Sequence, residues 1–390
     1  MAEWPLTTVG EHVARSREKV SVEPETEYDT MGVRWYGKGA YLRPPSRPKT
    51  KSLGIARESD FVFCRIDAQN GPFAVVPPEL DGALATNEFP LYKVDPDALD
   101  SRFLVLCFSN RATLDQIDGL REGRDGRARW KEPDFEAWQV PHPPVPVQKR
   151  IVTVISAVDK TIGALEGEIE ATGAVRAALL HELLQRRDET WEDLPVGKLG
   201  PLTRGKRFVK ADYVPEGIGC IHYSQIHTDF GAYTREVVSH LPETMRSRLR
   251  FAEPGDLVIA GTSENVEGVL KAVAWCGEEP VAVHDDAYIL NHSLEPRFAA
   301  YLFASPGLRE QVQHVYSDTK VVRVSRDNLA RMTVPVPPPA VQAEIADAID
   351  ALDRQVAAVA EEVERTRTAR SALVEALLSR RVEVADANED

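Results

Sequence analysis

The sequence predicts an α/β (α+β) protein made of two globular domains and a pair of long antiparallel helices, with an internal pseudo-two-fold repeat. Three observations carry that expectation. A proline cluster and the apolar-periodic stretch behind it, Pro141 to Arg187, return at Pro335 to Arg381, 194 residues on and without a gap. Within each copy the apolar residues keep a heptad period. The segments that precede the copies share strand and helix signatures and differ elsewhere. A repeat of this length has to be read before any local motif.

The repeated stretch comes first. Pro141, Pro143, Pro144 and Gln148 return as Pro335, Pro337, Pro338 and Gln342, and Asp159 returns as Asp353. Apolar residues fall at Ile151, Ile155, Val158, Ile162, Leu165 and Ile169, and again at Ile345, Ile349, Leu352, Val356, Val359 and Val363, in steps of 4, 3, 4, 3, 4. That spacing is a heptad seam, the period of left-handed coiled coils. The seam breaks at matched places, Thr172 and Arg176 in one copy and Thr366 and Arg370 in the other, before Leu179 and Leu183, or Leu373 and Leu377, resume it. A polar layer of this kind fixes register or marks a docking point for another chain. The other reading is two separate amphipathic surface helices, each packed on its own domain. Gly163, Gly167 and Gly173 weaken the first helix by roughly 1 kcal/mol each relative to alanine, so it needs a packing partner. The proline run before each helix is expected to stay non-helical and set the entry point. A continuous helix from Gln148 to Arg187 would be ~60 Å long, and two such rods packed antiparallel would form a rigid spacer.

The globular segments are residues 1–140 and 190–334. Ser59-Asp60-Phe61-Val62-Phe63 resembles Gly255-Asp256-Leu257-Val258-Ile259, a turn entering an apolar strand. Asp100-Ser101-Arg102-Phe103 matches Glu295-Pro296-Arg297-Phe298 at a helix start, and Arg129 aligns with Arg323. Strands are expected at Phe61–Ile66, Phe73–Val76, Leu257–Ala260, Val269–Trp275 and Lys320–Val324. The predicted boundaries are therefore 1–140 and 190–334 for the globules, 141–189 and 335–382 for the spacer helices, and 383–390 for an acidic flexible tail. If the helices run antiparallel, they carry one globule at each end. Such an arrangement matches the approximate dyad of B-DNA, on which two-fold readers bind half-sites about one helical turn (~34 Å) apart. Diverged globules would then read two different half-sites, an asymmetric, bipartite sequence.

At 390 residues, with a 43% apolar share and 28% charged residues, the chain has room for two or three soluble domains. Cys64, Cys107, Cys220 and Cys276 are far apart, with no CxxC, and read as reduced core thiols of a cytoplasmic protein. No signal pattern or membrane span is evident. The net charge of −14 argues against nucleic acid, but it is unevenly spread. Seven basic residues and no acid lie between Thr30 and Arg57, among Trp35, Tyr36 and Tyr41, whereas seven acids and one arginine lie between Ala340 and Glu364.

No catalytic constellation is present. Gly32 to Lys38 has the spacing of a phosphate-binding loop but lacks the following Ser/Thr, and Trp35-Tyr36 would fill the phosphate cradle. His284-Asp285-Asp286 reads either as a metal ligand set or, more simply, as a polar turn. What remains suits DNA. Arg34, Lys38, Arg43, Lys49 and Lys51 can neutralise phosphates, and Trp35 and Tyr36 add aromatic surface. The alternative is a solvated basic loop. Arg121 and Arg124 form a second candidate phosphate-facing loop. In the second globule the candidates are Lys206, Arg207 and Lys210, the polar loop residues Tyr223, Gln225, Thr262 and Ser263, and Lys320 with Arg323. Each of the polar loop residues serves equally well as a turn or cap residue.

These residues together resemble the specificity (S) subunit of type I restriction-modification systems, over nearly the whole length. Gly255 to Thr262 looks like that family's strand entering the recognition loop, and Asn87 to Val94 looks like its counterpart in the first half. Val140-Pro-His-Pro-Pro with Gln148, and Val334-Pro-Val-Pro-Pro with Gln342, precede spacer helices as in the family. Val145-Pro146 and Pro339-Ala340 depart from it, since such proteins often carry Leu-Glu there. The resemblance implies two target recognition domains on a coiled-coil spacer, no catalysis in this chain, and a part in phage defence. It also implies double-stranded DNA, methyltransferase (M) and restriction (R) subunits as partners. S-adenosylmethionine, ATP and magnesium would belong to those partner subunits. A coiled-coil scaffold of a phage-defence complex that does not itself read sequence is the competing expectation.

Overall fold

The computed structural model describes residues 3–23, 25–120, 129–266, 268–314 and 322–384. The chain divides into two compact units, residues 1–166 with 361–390, and residues 167–360. Each unit holds one globule and a segment of each long helix.

In the first unit a four-stranded antiparallel sheet has the order Val13–Arg15, Leu91–Val94, Phe61–Phe63, Phe73–Val75. Alternation puts Phe61, Phe63 and Tyr92 on the face covered by helix Ser101–Cys107, where they meet Phe103, Phe108, Trp130 and Phe135 in an aromatic core. Phe61 and Phe135 are stacked with centroids 5.2 Å apart. A three-stranded sheet (Lys19–Ser21, Ser52–Ile55, Leu84–Ala85) and a hairpin (Met31–Val33, Ala40–Leu42) are added to this frame.

The second unit repeats the frame. Its main sheet has the order Leu202–Arg204, Ala287–Leu290, Leu257–Ala260, Ala272–Trp275, with Tyr233–Thr234 added in parallel at the edge. Helix Pro296–Phe303 covers it. The addition here is different, a four-stranded sheet ordered Ser239–Leu241, Ile218–Ile221, Val281–Val283, Phe251–Ala252. Both units close with an antiparallel strand pair, Leu6–Thr8 with Gln139–Pro141 and Glu192–Pro195 with Thr333–Val336.

The shared turn seen in sequence has the same structure twice. Asp60 and Asp256 are buried and accept from the backbone N–H three residues earlier, of Arg57 and of Glu253. Ser59 and Gly255 both have positive φ, at 70° and 96°. Asp100 and Glu295 likewise cap the following helices, accepting from Phe103 N and Phe298 N.

The long helices run Val145–Gln185 and Pro339–Leu378. They start earlier than expected: Pro146 and Pro339 lie inside the first turn, where a missing N–H is no loss. Within the first unit Asp159 meets Arg370 and Glu166 meets Arg367, so the two segments run antiparallel. Within the second, Glu168 meets Gln355 and Arg176 meets Asp353. The arginines of the polar layers therefore form ion pairs between the helices, and the Arg176–Asp353 pair repeats Arg370–Asp159 with the two helices exchanged. Ile151, Ile155, Val374 and Leu377 enter the first core; Leu180, Leu184, Ile345 and Ile349 enter the second.

The duplicated glutamine is a clamp. Gln148 is fully buried; its Oε1 accepts from Asp100 N (2.8 Å) and its Nε2 donates to the carbonyls of Ala98 (3.0 Å) and Pro143 (2.8 Å). Gln342 repeats this with Glu295 N (2.9 Å) and Pro337 O (2.8 Å).

Several expectations need correcting. The strand expected over Phe61–Ile66 stops at Phe63, and Ile66 makes only a single bridge, to Arg129. The one expected over Val269–Trp275 begins at Ala272, because Leu270 has φ 62°, which no strand accommodates. Of the strand expected over Lys320–Val324, residues 322–324 are described, and Val322–Arg323 alone of these is strand. The counterpart of Gly255–Thr262 is the segment from Ser59, not Asn87–Val94, since Leu91–Val94 holds the sheet position of Ala287–Leu290. All four cysteines are free thiols.

Candidate nucleic-acid interface

The basic stretch of the first unit folds into the hairpin and the chain that follows it. Gly32 is needed in its first strand: a Cβ there would lie 2.6 Å from Arg43 Nε and 2.8 Å from the Tyr41 ring. With no side chain in the way, Tyr41 lies flat enough for the Arg34 guanidinium to sit 4.5 Å above it, and Arg43 stacks 4.9 Å over Phe89. The Gly32–Lys38 segment is a strand and a hairpin loop, so it cannot cradle a phosphate as a glycine-rich loop before a helix would. The tip carries Trp35 and Tyr36, both exposed, with Lys38 beside them. Lys49 and Lys51 are exposed just before strand Ser52–Ile55.

Ion pairing sorts the seven cations. Arg47 pairs with Glu25 (2.7 Å) and Arg57 with Glu18 (2.7 Å). Among the described residues no carboxylate meets Arg34, Lys38, Arg43, Lys49 or Lys51. Positive charge not neutralised by a carboxylate is what a phosphate-facing surface requires. Arg121 and Arg124 lie outside the described residues.

In the second unit Lys206, Arg207 and Lys210 are exposed around buried Phe208, also without a carboxylate among the described residues. Thr262 and Ser263 are buried, in a short strand paired with Val322–Arg323 so that Thr262 faces Arg323. A cavity of about 580 Å³ opens beside them, lined by Arg204, Arg323 and Arg326 together with Asp285, Asp286 and Tyr288. A Cβ on Gly261 would lie 2.7 Å from the Tyr288 ring, so glycine is required there. Lys320 lies outside the described residues. Tyr223 is half-buried, its ring 4.8 Å from that of His222. Gln225 is buried; it accepts from His222 N (2.7 Å) and donates to Ser239 Oγ (2.8 Å), which caps helix Tyr223–Thr228.

Arg204 and Arg326 were not singled out from the sequence. Arg204 is brought to the cavity by pairing opposite Tyr288 across 84 residues, and no linear pattern signals that. His284-Asp285-Asp286 forms the connection between strands Val281–Val283 and Ala287–Leu290, with ligand-type atoms within 4.8 Å of one another. His284 Nδ1 accepts from Asp286 N (3.2 Å), as a polar turn does.

The aligned arginines have different surroundings. Arg129 is held by Glu88 in a bidentate pair (3.0 and 2.8 Å), and Arg129 keeps the Glu88 carboxyl below the usual range. Arg323 is exposed and meets no carboxylate among the described residues. The two units thus present different surfaces on one frame.

No family model matches the chain. It is 21% identical over 275 residues to the type I restriction enzyme MjaVIII specificity subunit of Methanocaldococcus jannaschii, a match that covers 65% of this chain. The chain spans 64% of that relative's length. Among solved structures it is similar to a chain from a type I restriction-modification system whose complex assembly and conformational transition were described, with TM-score 0.63, 18% identity, and 96% and 97% of the two chains covered. It is also similar to the type I restriction-modification S subunit of M. genitalium, with TM-score 0.53, 14% identity and 97% and 96% covered. The resemblance to type I specificity subunits is thus present in sequence, and the fold is that of these structures.

Proposed function

We propose that the chain is the DNA sequence-specificity subunit of a type I restriction-modification complex, without catalysis of its own. Each globule acts as a target recognition domain and reads one half of a bipartite, asymmetric site in double-stranded DNA. The long helices set the gap between the halves and, with the globules, dock methyltransferase and restriction subunits. S-adenosylmethionine, ATP and magnesium would be held by those partners, and the complex would work in the cytoplasm. One observation supports this most directly: the same sheet, capped helix and glutamine clamp occur twice, while the cationic surfaces built on them differ. Duplicated support with unlike surfaces fits the reading of two unlike half-sites. Methylation of a base requires it to leave the stack, so this subunit would hold the duplex while a partner extracts the base.

The test is selection from a random duplex library by the full chain with its methyltransferase partner. Enrichment of two short sequences at a fixed gap is expected; no preference among duplexes would refute the proposal. Replacing Arg34, Lys38, Lys49 and Lys51 by alanine should weaken binding and lower the salt slope by up to about 0.9 per lost phosphate contact. A scaffold that does not read DNA would keep full activity.

A further inference from the structure

We infer that Trp35 and Tyr36 form an aromatic wedge that stacks into an opened base step of the duplex. The inference rests on the DNA-reading proposal and adds to it a deformation of the DNA. Trp35 and Tyr36, 47% and 69% exposed, are the exposed aromatics among the described residues, and they are adjacent. Solvent-facing rings at neighbouring positions are unfavourable unless something covers them. Their rings stand nearly perpendicular (85°) with centroids 6.3 Å apart, so only one can lie parallel to a base while the other follows the groove.

The tip is held rigidly. Tyr36 has φ 60°, a conformation that a bulky side chain adopts only when its surroundings enforce it. Two backbone bonds enforce it, Tyr36 N to Asn70 O (2.7 Å) and Gly37 N to Gly71 O (3.0 Å). Gly37, Gly39 and Gly71 take positive φ around it. The loop that supplies Asn70 and Gly71 follows strand Phe61–Phe63, as the Thr262 segment follows Leu257–Ala260. The rings are flanked by Arg34 and Lys38, which meet no carboxylate among the described residues. Preorganised rings between cations that meet no carboxylate among the described residues fit a polyanion with planar apolar surfaces inside it. Wedges of this kind part-unstack and kink a duplex, and phosphate contacts offset the cost.

A wedge binds more tightly where the step is already open. The full chain should bind a random-sequence duplex with one mismatch about tenfold more tightly than the intact duplex, because part of the unstacking cost is already met. Trp35→Ala with Tyr36→Ala should abolish that preference, so that mismatched and intact duplexes bind with equal affinity. Tyr36→Gly, which relieves the left-handed backbone and cannot unfold the loop by strain, should likewise lose most of it. Equal wild-type affinity for the two duplexes, or a preference that survives in both variants, overturns the wedge and leaves the DNA-reading proposal standing. Loss, in the assembled complex without DNA, of the iodide-quenchable emission that Trp35→Phe removes would show a protein subunit on the tip and also overturn it. Absence of any duplex binding by the wild type would remove the reading proposal itself, and the wedge with it.

Discussion

Gln148 and Gln342 show how much a single side chain does here. Each joins the start of a long helix to the cap of a globule helix, and neither has an apolar substitute that satisfies the same backbone groups. Gln148→Leu would strand Asp100 N and the carbonyl of Pro143, while Ala98 O keeps its contact with His142 Nε2 (3.0 Å), at a cost of about 2–4 kcal/mol. A fall in the unfolding temperature of the first unit, with the second unchanged, is the expected outcome in calorimetry. The repeat made this residue visible in the sequence. The state of Arg129 was not visible, because its partner Glu88 is 41 residues away and only the fold brings them together.

A second residue-scale consequence concerns acid. His222, His227 and His292 of the second unit all have their pKa pushed down, chiefly by burial. The unfolded chain would bind protons that the fold refuses, so stability is complete above the ordinary histidine value near 6.5 and falls as pH drops below it. Glu88 acts in a lower window: its contribution is present above the ordinary carboxylate value near 4.3 and lost as pH falls further. Denaturant midpoints between pH 8 and pH 5 should therefore decline first in the second unit. Replacing His292, whose Nε2 is buried with no hydrogen-bond partner among the described residues, by Asn should flatten that slope.

At the scale of elements, the long helices combine weak intrinsic helicity with specific pairing. Open space surrounds the Cβ positions of Gly163, Gly167 and Gly173. Each change to alanine should stabilise by roughly 1 kcal/mol, readable as a rise in unfolding temperature. The ion pairs Arg176–Asp353 and Arg370–Asp159 are partly exposed, so a double-mutant cycle on either should give a coupling of about 0.5–1 kcal/mol. The seam and its interruptions were legible in sequence because heptad spacing survives as a linear pattern. The choice of Arg176 with Asp353, rather than with a solvent or a partner chain, was not, since it depends on which residues the antiparallel packing sets opposite. The hairpin at Arg34–Gly39 was missed for a related reason. Its turn is set by left-handed Tyr36 and by bonds to Asn70 and Gly71, none of which leaves a local signature.

For the whole molecule, the duplicated frame was readable from the 194-residue shift, but the added sheets were not, because unlike insertions share no pattern to compare. The proposed function makes a prediction at this scale. One heptad inserted into both long helices, about 10 Å of rise, should lengthen the gap between half-sites by about three base pairs and leave both half-site sequences unchanged. Methylation mapping would read the outcome, and altered half-sites would show that the helices do more than space.

The first unit draws its interior from two stretches far apart in sequence, residues 1–166 and 361–390. Trp4 donates to Leu377 O (3.0 Å) under the Arg380 guanidinium, and Val374, Leu377 and Leu378 fill a core otherwise supplied by residues before 156. A ribosome therefore releases the material of the second unit in one continuous piece, residues 167–360, before the first can be sealed. Nascent chains whose residues up to 360 have cleared the ribosomal tunnel should already protect the second unit from protease, while the earlier-made sequence around Phe61 and Phe108 stays cleavable until residues 361–378 emerge.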